Sequence, residues 1–258
     1  MKHLKGVIKI KKELFFRTFK NQTYVDQLKN IPQEFKVEHN EETETTEITI
    51  YGVIGESWWS DSFSANDIDR ALKNAGDNDV IVNLNSPGGD AFDGIAIYNR
   101  LKRHKGKVTV IVDGWAASAA SVIAMAGDEI IMGLGSMMMI HEAWTIVLGS
   151  KTELRKEADV LEELENGIIN IYQTKANISQ EEIREKVDAE TWMSAKTAVE
   201  LGFADRVEGE EQEEETTEEP EIRTEEEKKN ILKELENTIE PKEEPKNEGS
   251  FNLLKKWR

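Results

Sequence analysis

The chain has 258 residues, a net charge of −18 and 33% charged side chains, and about half of the net charge lies beyond residue 207. Cysteine is absent, which removes any disulfide framework or thiolate metal site, and no run of about eighteen apolar residues marks a membrane span. The acidity counts against nucleic acid as a partner, and the basic start MKHLKGVIKIKKELFF lacks the apolar run and cleavage site of a secretory signal, so a soluble cytoplasmic protein is expected.

Composition divides the chain into three stretches. Residues 1–45 are polar and mixed in charge, ending in EETETTE, and read as an N-terminal arm with a strand allowed over Val7 to Ile10. Residues 46–207 alternate between β-like and helical patterns. Residues 208–258 open with EGEEQEEETTEEPE and carry too little apolar surface to build a core, so they are expected to be largely disordered, with a short helix possible over 225–239.

Within the middle stretch, EITIYGVIG (Glu47 to Gly55) has the period of two that a half-buried strand needs. Ser64 with Asp67 makes a capping box for a helix with Ile68 and Leu72 inward, ending near Gly76. DVIVNL (Asp79 to Leu84) predicts a short buried strand stopped by SPGG, and Ala91 to Arg103 a helix with Ile95, Tyr98 and Leu101 on one face. KVTVIV (Lys107 to Val112) predicts the next strand, SAASVIAMAG (Ser118 to Gly127) a buried helix, then EIIM and SMMMIH (Ser136 to His141) two more strands. Strands and helices alternating at this spacing imply βαβ crossovers and a largely parallel sheet. Ser150 and Glu153 cap a long helix over Thr152 to Lys175, whose face of Leu154, Ala158, Leu161, Leu164, Ile168 and Tyr172 either covers the sheet or projects toward a partner. Two short helices follow, one starting at Ser179 and one over Ser194 to Leu201.

The chemistry concentrates in two places. GWAASAAS (Gly114 to Ser121) sets a serine among small residues between a strand and an apolar helix, and MMMIHEAW supplies His141 shortly after. Serine needs a base to take its proton. Of the four histidines, His3, His39 and His104 fall in a basic terminus, a polar loop and a Lys/Arg-rich helix end, which leaves His141 as the candidate base. NSPGGD (Asn85 to Asp90) ends a strand and precedes a helix, so its glycines can present backbone N–H groups to a developing negative charge; alone, the same pattern reads as a tight turn or a phosphate loop. Met137, Met138 and Met139 are expected to pack alternately, with at most one in a substrate pocket. Trp58 and Trp59 read as core or subunit contact before binding platform, Trp115 as a residue that shapes the cleft, and Trp192 as one that packs beneath its own loop.

SPGGDAFDGIAIYNRL, DGWAASAAS, MMIHEAW and ETWMSAKTAVELGFADRV together resemble the ClpP family of serine peptidases in order and spacing over about Ile48 to Val207. They are most similar to the ClpP-related head maturation proteases of tailed phages and prophages. The resemblance implies a ClpP/crotonase-like α/β fold of repeated βαβ units with a long protruding helix. It makes Ser118 the nucleophile and His141 the general base, with the N–H groups of Gly89 and Ala119 as oxyanion donors. At the third position the family carries aspartate; this chain has Glu190, with Asp188 as the competitor, and Trp192, packed beneath its loop, is expected to position Glu190.

The resemblance further implies an endopeptidase without cofactor or metal that self-assembles into a ring-like homo-oligomer. The expected substrates are capsid, scaffold or portal precursors, met in the host cytoplasm or inside the procapsid. The alternatives are a Clp-type housekeeping subunit fed by an ATP-driven AAA+ unfoldase, an enzyme of the related acyl-CoA group, and a catalytically inactive capsid-assembly protein of the same fold. The N-terminal arm and acidic tail count against the housekeeping subunit. The tail itself reads as a tether, a docking peptide, a self-cleaved pro-segment or a solvated end.

Overall fold

The computed structural model describes residues 13–55 and 63–209. The strand predicted over Val7 to Ile10, Trp58, Trp59 and the acidic tail with its predicted helix lie outside the described residues. Among the described residues eight strands form one sheet: β1 (Glu34–Asn40), β2 (Thr45–Tyr51), β3 (Asp79–Ser86), β4 (Val108–Ala117), β5 (Glu129–Met132), β6 (Met137–Ile140), β7 (Thr191–Ser194) and β8 (Arg206–Val207). Their order is β1-β2-β3-β4-β5-β8, with β6 pairing β4 and β7. The β2-β3-β4-β5-β8 series is parallel throughout, and β1 closes its edge antiparallel to β2.

The period of two that predicts these strands also builds the core. Ile48 and Ile50 on β2, Val80, Val82 and Leu84 on β3, and Val108, Val110 and Val112 on β4 are all buried. Each such side chain contributes about 1.5–3 kcal/mol when taken from water. Helices α2 (Ala65–Ala75), α3 (Ala91–Leu101) and α4 (Ala119–Ala124) supply Ile68, Ile97, Leu101 and Val122 to the same core. The predicted capping box is formed, with Asp67 accepting from the Ser64 N–H, and Gly76 ends α2 at φ 67°.

β4 is longer than the others because it serves two partners. Its first half, Thr109 to Val112, pairs with β5, and its last residues, Trp115 to Ala117, pair with β6, which turns antiparallel against β7. Helix α5 (Lys151–Tyr172) begins at the predicted Ser150 and Glu153 capping box. Only its C-terminal end is buried, through Ile168, Ile169 and Tyr172, while Leu154 and Val160 remain 44% and 48% exposed. Of the two readings its sequence allows, the first half therefore projects. Helices α6 (Gln180–Ala189) and α7 (Ala195–Glu200) complete the unit, and Ser179 and Ser194 cap them as read from the sequence.

The stretch read as an arm does more than its polarity suggests. Beyond contributing β1, it carries helix α1 (Val25–Lys29) and a helical turn over residues 13–17. Phe15, Phe16, Phe19, Val25 and Leu28 bury themselves with Ala117 and Met139 in a second hydrophobic cluster, against Trp115, Trp144 and Trp192. Met138 belongs to the main core and Met139 to this second cluster, so the methionines of β6 alternate as predicted.

Candidate active site

Parallel strands deliver their C-terminal ends to one edge of a sheet, and loops leaving that edge are where such folds collect function. Here β3 ends at SPGG, β4 at Ser118 and β6 at His141. The pairing of β4 with β6 brings the last two together: the Ser118 N–H donates to the Met139 carbonyl at 2.8 Å. The chain then turns sharply, with Ser118 at φ 55° and ψ −125°, a conformation rare for a residue with a side chain. Such strain is held only where the surroundings fix it, and here it sets the hydroxyl at the strand-to-helix junction. His141 Nε2 lies 2.8 Å from Ser118 Oγ.

The SPGG loop approaches the same turn closely enough that only glycine fits. A Cβ on Gly88, at φ 91°, would stand 2.6 Å from both the Ala117 carbonyl oxygen and Ser118 Cβ. Gly89 pairs with Ile54 as a parallel bridge in which Ile54 makes both bonds, its N–H donating to the Gly88 carbonyl and its carbonyl accepting from Asp90 N–H, each at 2.9 Å. In that pattern the N–H of Gly89 points away from Ile54. Gly89, Ser118, Ala119 and His141 line one cavity of about 200 Å³. Its remaining wall is largely apolar, with Phe92, Val122, Leu161, Leu164, Ile168 and Tyr172. Ser121 supports this wall by donating to the Ser118 carbonyl at 2.6 Å and pairing with the buried Tyr172 hydroxyl at 2.8 Å. Burial holds the Tyr172 phenol far above its ordinary range.

Behind the imidazole stands Glu190, 8% exposed, at the left-handed end of α6 with φ 56°. Oε1 accepts from the Asn21 N–H at 2.8 Å and from Trp192 Nε1 at 3.0 Å, and Oε2 accepts from the Lys20 N–H at 2.5 Å. Glu190 and His141 share no hydrogen bond among the described residues; the carboxylate acts on the ring through its field, which favours the imidazolium. Burial opposes that field and prevails, so His141 is held down at about 4, with the Lys20 cation adding to the depression. Phe19 packs edge-on to the imidazole with ring centroids 5.4 Å apart. Asp188 is exposed on α6, and its backbone carbonyl accepts from Lys20 Nζ at 2.5 Å.

The four residues predicted for nucleophile, base and oxyanion donors thus converge on one cavity, and of the two carboxylates Glu190 is the one facing the histidine. Trp192 does hold Glu190, as read from the sequence. Trp115 does not line the cavity; its ring packs on Tyr24 and Trp192, at 5.3 and 5.8 Å between centroids. His39 lies on β1 with Nδ1 3.2 Å from Thr46 Oγ1, and His104 Nε2 lies 2.7 Å from the Asn78 carbonyl, so neither joins the site. The sequence reading missed Lys20 and Asn21, whose bonds to Glu190 come from backbone N–H groups that leave no signature in residue type. It also missed Glu165, which anchors the loop after His141 by accepting from the Ala143 N–H at 2.9 Å.

The Clp protease family model matches residues 61–211. The chain is 32% identical over 132 residues to ATP-dependent Clp protease proteolytic subunit 1 of Protochlamydia amoebophila, covering 50% of this chain and 64% of that protein. It is 30% identical to the proteolytic subunit of Deinococcus radiodurans over 51% of this chain and 65% of that protein. With subunit 1 of Chlamydia abortus it shares 31% identity over 53% of this chain and 72% of that protein. The chain therefore spans just under two thirds of the length of the first two relatives. Among solved structures, a ClpP1 point mutant from Listeria monocytogenes superposes with a TM-score of 0.55 at 24% identity, covering 64% of this chain and 91% of that one, a likeness of fold.

Proposed function

Because the chain belongs to the Clp protease family, we propose that it is a serine endopeptidase working through an acyl-enzyme on Ser118. The observation that carries this reading is the 2.8 Å contact between His141 Nε2 and Ser118 Oγ beside the Gly89 and Ala119 amides. Ser118 Oγ attacks the scissile carbonyl carbon while His141 Nε2 takes the hydroxyl proton. The carbonyl oxygen gains the negative charge and is met by the N–H groups of Gly89 and Ala119. The imidazolium, stabilised by the Glu190 field, then returns the proton to the leaving amine, and water repeats the sequence to free Ser118.

The apolar wall of the cavity supports substrates with an apolar side chain on the carbonyl side of the cut bond. Exposed Ile146, Leu148, Leu154 and Val160, on the loop after His141 and the projecting half of α5, support self-assembly into a ring. The four motifs and their spacing support a role in trimming capsid, scaffold or portal precursors during phage head maturation. The names of the curated relatives favour a second reading, a Clp-type subunit working with an ATP-driven unfoldase.

Wild type and Ser118→Ala, each incubated with the cognate capsid and scaffold proteins, decide between them when fragments are identified by mass spectrometry. Defined cuts without ATP that vanish in Ser118→Ala support the head-maturation role. Degradation only with ATP and the host unfoldase supports the second reading, and no cleavage under any condition with the oligomer intact refutes the peptidase.

A further inference from the structure

We infer that the backbone of Lys20 and Asn21, with the Trp192 indole, forms a positioning element through which this chain's own N-terminal segment sets the Glu190 carboxylate for His141. The inference rests on the proposed peptidase reading. Three of the roughly four acceptor sites of the carboxylate are filled by these donors, two of them main-chain N–H groups. One site on Oε2 is left for an imidazole N–H. Lys20 and Asn21 lie outside the family match at residues 61–211, so the likeness to the family does not supply them.

The segment is anchored independently of Glu190. Phe15, Phe16 and Phe19 are each 1% exposed, and Gln22 Nε2 donates to the carbonyls of Phe16 and Phe19 at 3.2 and 2.5 Å. Lys20 Nζ donates to the Asp188 carbonyl at 2.5 Å and reaches Glu142 at 3.2 Å, which ties the segment to both sides of the site. A glutamate has one more rotatable bond than the aspartate the family carries there, so more must be done to hold it in one place. Fixed donors on a preorganised backbone do this, and Phe19 of the same segment packs edge-on to the imidazole at the same time.

The test uses the full chain. Asn21→Pro removes one donor to Oε1, and Asn21 already sits at φ −87°, near proline's range. Asn21→Ala keeps the N–H and loses only the side-chain cap on Thr23, so it reports the cost of the cap alone. Trp192→Phe removes the indole donor and keeps a ring. The rate of covalent labelling of Ser118 by a fluorophosphonate is measured for each, in the wild-type and Glu190→Gln backgrounds, with Ser118→Ala as the blank and circular dichroism to confirm folding. A charge-assisted hydrogen bond implies labelling about ten- to a hundredfold slower in Asn21→Pro than in Asn21→Ala, with Trp192→Phe slowed in the same direction. In Glu190→Gln the difference between proline and alanine should shrink below about threefold, because the partner through which it acts is gone. Equal rates, faster labelling in Asn21→Pro, or a difference that survives in Glu190→Gln would overturn the inference while leaving the peptidase intact. A wild type that takes no label overturns the peptidase reading and this inference with it.

Discussion

Replacing Gly89 by alanine tests the oxyanion assignment where the geometry is tightest. A Cβ at this position would stand 2.0 Å from the Ile54 carbonyl oxygen and 2.8 Å from the Ile54 nitrogen, where real contacts keep beyond 3.0 Å. The loop must retreat by about 1 Å, which strains the two 2.9 Å bonds that Ile54 makes to Gly88 and Asp90. Those bonds contribute about 0.5–1.5 kcal/mol each, so a loss of stability of about 1–3 kcal/mol is expected. At roughly 2–4 °C per kcal/mol for a domain of this size, the melting temperature should fall by several degrees. The larger effect should be on turnover, because the Gly89 N–H leaves the position that the developing oxyanion occupies. Removing one such donor costs about 10²–10³ in kcat. The assay is kcat and KM on a fluorogenic peptide beside a thermal melt. Gly135→Ala serves as the control: at φ 83°, exposed, with nothing within 4 Å and no part in the cavity lining, it meets only backbone strain. If Gly89→Ala keeps more than about a third of wild-type kcat, the N–H of Gly89 is not an oxyanion donor.

Glu190→Gln should lower kcat/KM by two orders of magnitude or more, since loss of the third carboxylate in such triads costs up to about 10⁴, whereas the exposed Asp188→Asn should stay within about threefold of wild type; the reverse order would make Asp188 the third member. The acid limb of kcat/KM should fall through pH of about 4, where His141 takes its proton, and not near its ordinary 6.5. The same depression has a sign in stability: between these values the unfolded chain binds the proton and the folded chain does not, so stability is lost as pH falls from 6.5 toward 4. A chemical denaturation series at these pH values should show a shallower loss in His141→Gln, and an unchanged slope would refute the depressed histidine. Leu164→Phe narrows the apolar cavity and should cut kcat/KM for a peptide with a large apolar side chain at the cleaved bond by about tenfold or more, while sparing an alanine peptide; equal losses on both would place the side-chain pocket elsewhere.

Much of this protein is legible in the sequence because local pattern and tertiary demand agree. The period of two in EITIYGVIG and DVIVNL, the capping boxes at Ser64, Ser150 and Ser179, and the glycines of SPGG each specify a local structure that the fold then uses. His141 is legible as the candidate base from residue type and place, because the other three histidines fall in unsuitable positions, and the resemblance of the surrounding motifs selects Ser118 as its partner. What the tertiary structure decided concerns contacts whose chemistry is not written in residue type. The polar stretch over residues 13–40 hides three phenylalanines whose burial depends on Ala117 and Met139, distant in sequence. The first half of α5 has an apolar face like a core helix, and only the positions of its neighbours leave it projecting. Two of the three donors to Glu190 are main-chain N–H groups that any residue except proline would carry at positions 20 and 21. A sequence specifies which side chains exist and with what period they recur, and so determines strands, helix ends and the candidate nucleophile and base. Which backbone donor meets which carboxylate across some 170 residues depends on the packing of the whole, and only the folded chain fixes it.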